Sequence, residues 1–168
     1  MASVPSSPSG LDRADRIRCR ALVVQAAQLG HENRDEIHYT QGSKRWDGIA
    51  NHKNPQRGEV PSQADCSSFC TWALWSGLRL VFLLPDKVNG LDWKAGYSGT
   101  LLDHGAKVPS TEHKLQGDLV FYGSPVNHVA IVVARVNGVL MVVSHGSEGG
   151  PFYVRYNYRT PTQFRRYI

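Results

Sequence analysis

The spacing of apolar positions divides this chain into a helical first half and a strand-rich second half. Over residues 11–29, Ala14, Ile17, Ala21, Val24 and Gln28 run down one side, flanked by Leu22, Ala26 and Leu29. That interval predicts a helix with one covered face. Asp12 is placed to cap it and Gly30 to end it. Arg13, Arg16, Arg18 and Arg20 fall outside the face and are predicted to be exposed. Residues 1–10, rich in Ser and Pro, read as a disordered tail, which leaves 11–168 as one domain. Residues 31–63 are polar with few periodic apolar positions. A loop of that length inside a compact domain is uncommon. Its Tyr39 and Trp46 either line a groove or pin a surface loop.

At residue 64 the pattern changes abruptly. Ala64-Asp65-Cys66-Ser67-Ser68-Phe69 turns from polar to apolar within a few residues, and Phe69, Cys70, Ala73 and Leu74 follow at helical spacing. A second helix is therefore predicted from Cys66 to about Gly77, with Cys66 in its first turn. Residues 86–105 read as a turn and a short helix over 93–104, stopped by Gly105. Beyond that the period shortens to that of strands, over 119–122, 128–136, 139–144, 152–158 and 164–168. Asn137-Gly138 marks a hairpin between the second and third of these. Helices first and a mostly antiparallel sheet second define an α+β fold with N-terminal helices packed on the sheet.

Composition narrows the function classes. No apolar run approaches the roughly 18 residues that a membrane span needs, so no membrane partner is expected. Residues 1–10 lack the basic and apolar regions of a secretory signal. The net charge of +5 favours polyanions such as anionic wall polymers, or else reflects only a solvated basic surface. No nucleic-acid motif or block of cations is present, so nucleic acid is not an expected partner. The three cysteines, Cys19, Cys66 and Cys70, do not form a disulfide framework or a C-x-x-C pair. Cys70 and Cys19 read as small buried hydrophobes.

Cys66 differs because of its position. Unpaired N–H groups and the helix dipole at a helix start favour the thiolate, which is the nucleophile. A thiol of this kind needs a base and a group that orients the base. His128 opens an apolar strand, and His145 closes its hairpin partner. With the turn at Asn137-Gly138, residues near 147 oppose His128, so His128 and His145 are predicted to project from one face. A zinc site of His128, His145 and Cys66 is the competing reading.

These residues resemble the NlpC-type family of papain-like cysteine peptidases, which cut peptidoglycan stem peptides. Asp65-Cys66-Ser67-Ser68-Phe69 is similar to the family's nucleophile block. The run from Gly117 to Tyr122, followed by His128 to Ile131, is similar to its histidine block, and Val143-Ser144-His145 to its third. Tyr39-Thr40-Gln41-Gly42 is similar to an upstream Tyr-x-x-Gly. The resemblance covers residues 11–168 and implies a papain-like fold. It implies Cys66 as nucleophile, His128 as base and then acid, and His145 as orienting residue. Tyr39 would stand near the oxyanion, and Ser67 would flank the subsite. Asp65 would bind a substrate amine or hold the loop before the helix. The implied chemistry is thioester-mediated hydrolysis without a cofactor, by a monomer acting on bacterial peptidoglycan. Ser68 stands where the family commonly has glycine, and the Tyr39-to-Cys66 gap is long. A chain made without a signal resembles a phage endolysin or tail-associated lysin, delivered by a holin or virion, or else an injected effector. A CHAP-type amidase, or a catalytically inactive wall-binding module, are the alternatives.

Overall fold

A computed structural model of the chain describes residues 8–90 and 92–168. The tail predicted over 1–10 therefore lies mostly outside the described residues. Helix α1 (Arg13–Glu32) starts at Asp12, whose carboxylate accepts from the Asp15 amide. Its buried side is Cys19, Val23, Val24, Ala26, Ala27 and Gly30. This corrects the predicted face: Ala14, Ile17, Ala21 and Gln28 are exposed. The reason is close approach. A Cβ on Gly30 would stand 2.5 Å from the Phe69 ring, and one on Gly77 would stand 2.9 Å from Val23. Small residues hold α1 against the next helix, and small residues carry little hydropathy signal. Gly30 accordingly sits inside the helix, and Asn33 ends it.

The polar segment that follows is not a free loop. Strand β1 (His38–Tyr39) pairs in parallel with β2 (Gln63–Ala64), with Tyr39 opposite Ala64. Between them lie 3₁₀ turns and a short helix, α2 (Asp47–Ala50). Trp46 and Ile49 are buried, and the Trp72 indole donates to the Lys53 carbonyl at 3.0 Å. The two-strand ribbon closes the long excursion and delivers the chain to the start of α3 (Cys66–Leu78). Every residue of α3 is buried. Helix α4 (Ser98–His104) follows, starting later than predicted, and Gly105 is its C-cap.

Strands β3 (Ala106–Lys107), β4 (Leu119–Tyr122), β5 (His128–Val136), β6 (Val139–Gly146), β7 (Gly149–Arg155) and β8 (Pro161–Arg166) form one antiparallel sheet in the order β3-β8-β4-β5-β6-β7. Leu119, Phe121, Val129, Ile131 and Val143 face α1 and α3. Val120, Tyr122, Ala130, Val132 and Val142 form a second apolar layer on the other face. The fold is α+β, with the helices on one side of the sheet. None of the described helices is long and apolar enough to cross a membrane.

The β5–β6 hairpin decides which side chains meet. Its turn holds Asn137 and Gly138 at φ 50° and 81°, the left-handed pair that a two-residue turn requires. Near the turn, Arg135 faces Leu140. Past a bulge between Val132 and Ala134, Ile131 faces Val143. Had the first register continued, Ile131 would have faced Ser144. A one-residue slip moves side chains to the opposite sheet face relative to their partners.

Candidate active site

Asp65 sets the start of α3. Its Oδ1 accepts from the Ser68 amide at 2.7 Å, while its own amide donates to Ser68 Oγ at 2.9 Å. This reciprocal capping box explains why serine stands at position 68. Ser67 Oγ donates to the same Asp65 oxygen at 2.9 Å, and Arg45 lies 3.7 Å from the other. Of the two roles predicted for Asp65, the structure shows the one that holds the loop. Ser67 is 2% exposed, which corrects its placement beside an open subsite, because its hydroxyl points into the cap.

The cap presents Cys66 at the helix start. Amides of Val129, Ser67 and Cys66 itself turn toward the sulfur and favour the thiolate, but burial and the Asp65 carboxylate outweigh them and push the thiol up to about 11. The low thiol pKa expected from the helix start is thus corrected: withdrawal from water wins over the local dipole. The Val129 amide places the sulfur against the opening residues of β5, where His128 stands. Tyr39 is close enough to feel both Cys66 and Asp65, its phenol raised by burial and by their charges. Its hydroxyl accepts from Gln41 Nε2 at 3.2 Å.

His128 is 4% exposed. Its Nε2 lies 2.7 Å from Ser144 Oγ and 2.9 Å from the Tyr158 hydroxyl, and those two oxygens are 2.7 Å apart. The Tyr122 ring packs beside the imidazole at 5.6 Å. Burial and the Arg159 charge push His128 down to about 4. Cys66 and His128 therefore rest as a neutral thiol and a neutral imidazole near pH 7. Arg159 pairs with Glu148 at 2.5 Å at the surface, and both charges reach His128.

His145 does not join this cluster, which corrects the predicted shared face. The bulge in β5 turns it to the α3 side of the sheet, where it meets Tyr39 at 5.4 Å and Phe69 at 6.0 Å. It is 1% exposed. The carbonyls of Ala64 and His38 lie beside its ring, outside hydrogen-bonding geometry. The groups that hold His128 are Ser144 and Tyr158, which sequence reasoning missed. The available signal was parity: in the shifted register, Ser144 and not His145 shares the face of His128. Tyr158, in the β7–β8 turn, gave no signal. Among the described residues, no three His, Cys, Asp or Glu side chains gather as a metal-binding set, so Cys66, His128 and His145 do not form a zinc-ligand cluster. No protein-family model and no curated protein matches the chain.

The buried imidazole makes stability depend on pH. Unfolded histidine binds a proton below about pH 6.5, whereas folded His128 resists until about pH 4. Its contribution is full above pH 6.5 and is lost as pH falls toward 4, about 3 kcal/mol in all. His145, also lowered by burial, acts in the same direction. Urea unfolding at pH 7.5 and 4.5 is expected to show this loss, and His128→Gln is expected to reduce it. Equal stability at the two pH values contradicts a neutral buried His128.

Proposed function

We propose that this chain is a papain-like cysteine peptidase of the NlpC type that hydrolyses an amide bond in peptidoglycan stem peptides. The observation that carries the reading is the Cys66 thiol, laid at the start of a buried helix against the amide of Val129, the residue that follows His128 at the opening of β5. The resemblance of the Cys66 and His128 blocks supplies the substrate class.

The chemistry follows from the two neutral groups. With Nε2 protonated and donating to Ser144 Oγ, the Nδ1 lone pair is left to act as base. Nδ1 takes the proton from Sγ as sulfur attacks the carbonyl carbon. The oxyanion is met by backbone N–H at Cys66 and by the Tyr39 hydroxyl, oriented by Gln41. Nδ1–H then protonates the leaving nitrogen, the C–N bond breaks, and a thioester remains on Cys66. Water attacks it, passing a proton to Nδ1, and the acid leaves as Sγ regains the proton. Ser144 and Tyr158 act as positioning residues for His128. The reading includes delivery to the wall by a holin, a virion or an injection apparatus.

Ser144→Ala and Tyr158→Phe are each expected to lower kcat by about tenfold to a hundredfold with KM unchanged, because neither hydroxyl touches substrate in this scheme. Steady-state kinetics on a stem peptide read this; a rise in KM alone contradicts it. The reading itself is tested by incubating purified bacterial walls with the chain and with Cys66→Ala. New peptide termini are expected from the first and none from the second. With His145 on the other face, the third residue no longer separates this reading from a CHAP-type amidase. Product masses do, since that amidase reading is met by cleavage between glycan and peptide.

A further inference from the structure

The sheet face turned away from α3 is covered only in part. At the end of the β5–β6 hairpin it opens into a trough of about 900 Å³ between the 107–114 segment, the hairpin turn and the first residues of β8. A second hollow of about 360 Å³ continues it toward α1 and shares His113, Lys114, Arg135 and Leu140 with it. Leu140, Tyr156 and Phe164 lie at its base, packed on the second apolar layer. Lys107, Lys114 and Arg135 stand in its walls. The carboxylate there, Glu112, is paired with Arg166. Leu140 and Ser144 are four residues apart on β6, roughly 13 Å along the strand, so the trough lies well away from the residues around His128.

We propose that this trough binds a strand of acidic polysaccharide. An open hollow continued by a second one, with cations in its walls, suits a charged polymer better than an enclosed small ligand. Two features separate a glycan from other polyanions. Lys114 Nζ lies 5.1 Å over the Phe164 ring and Tyr156 packs on the same ring at 6.2 Å, which occupies faces on which a nucleobase would stack. The base of the trough is a sheet face and not an edge, so its backbone donors are paired within the sheet and offer no ladder to an acidic peptide. Thr111, the Thr162 oxygen (its hydrogen goes to the Phe121 carbonyl) and the Gln163 amide nitrogen (its oxygen accepts from Arg165) supply the acceptors and donors that sugar hydroxyls need. Lys107 and Arg135, both exposed, meet the carboxylates, in keeping with the net charge of +5. The site does not depend on the thiol or on what Cys66 does.

The test uses the whole chain and polygalacturonate as probe, with dextran, polyglutamate and single-stranded DNA beside it. Saturable binding that weakens between 50 and 200 mM salt is expected for polygalacturonate. Dextran is expected not to bind, and polyglutamate and DNA to bind at least tenfold more weakly. The Lys107→Ala/Arg135→Ala chain is expected to lose at least tenfold in affinity at an unchanged melting temperature, while Cys66→Ala binds as the wild type does. Hydrogen exchange on the wild-type chain gives a reading free of substitutions, with protection expected across 107–114 and 135–140. Absence of binding, equal affinity for all three polyanions, an unaffected double variant, or protection confined to other segments each overturns the proposal.

Discussion

Asp118→Ala is expected to destabilise the fold by about 3–5 kcal/mol, the scale for stripping one partner from a buried ion pair. Asp118 is 0% exposed. Its Oδ1 accepts from Arg166 Nε and its Oδ2 from Arg166 Nη2, both at 2.8 Å, and Oδ2 also accepts from the Leu115 amide at 2.8 Å. Arg20 of α1 approaches Oδ1 at 3.7 Å and donates to the carbonyls of Gln116 and Ile168. One carboxylate thus ties α1, β4, β8 and the chain's last residue together. Without it, two largely covered arginines lose their shared carboxylate. Asp118→Asn keeps the shape but not the charge, and is expected to fall between the wild type and Asp118→Ala. Urea unfolding at pH 7.5 measures both. A change below about 1 kcal/mol in the alanine variant would mean that the arginines find other partners or water.

His128→Gln carries the largest expected loss of activity among the residues around the thiol. A positioned general base contributes roughly 10²–10⁴ in rate. The loss here is expected near the upper end, because the Cys66 thiol, raised to about 11, holds almost no thiolate at neutral pH without a base. Glutamine retains the imidazole's approximate size and a polar contact to Ser144 and Tyr158, so the melting temperature at pH 7.5 is expected to move little. The residual activity of His128→Gln is expected to rise with pH through the alkaline range, as hydroxide replaces the missing base. A variant that keeps wild-type kcat at pH 7 removes His128 from the mechanism. Iodoacetamide gives a parallel view of the thiol: alkylation of Cys66 is expected to be slow at pH 7 and to accelerate above pH 9.

Much of this architecture was legible in the residues. The α3 start was visible because Asp65, Cys66 and Ser68 combine a cap with an abrupt apolar onset, and the hairpin because Asn137-Gly138 accepts left-handed backbone. The face of α1 was not legible, since Cys19, Ala26, Ala27 and Gly30 are chosen for closeness to α3 and carry little hydropathy. Arg20 was predicted exposed for its charge alone; its buried partner Asp118 lies about a hundred residues away in the chain. The ribbon of His38–Tyr39 with Gln63–Ala64 is too short to show a period, yet it brings Tyr39 to the thiol across the long segment between them. Cys66 at a helix start and His128 at a strand start were legible from position, and both stand there. The partner of His128 was missed because a single extra residue at the β5 bulge reverses the parity that had pointed to His145. Nothing in a run of apolar β-branched residues announces where such a bulge falls.

The central claim is that Cys66 attacks an amide carbonyl with His128 as its base. Rapid acid quench of the chain during digestion of purified stem peptides, followed by peptide mapping, tests it most directly. The account predicts an acyl fragment of the substrate joined to the peptide that contains Cys66, released by hydroxylamine as a thioester is, and absent from Cys66→Ala together with the digestion products. Digestion that proceeds undiminished in Cys66→Ala, or an acyl fragment found on Ser144 instead, would contradict it.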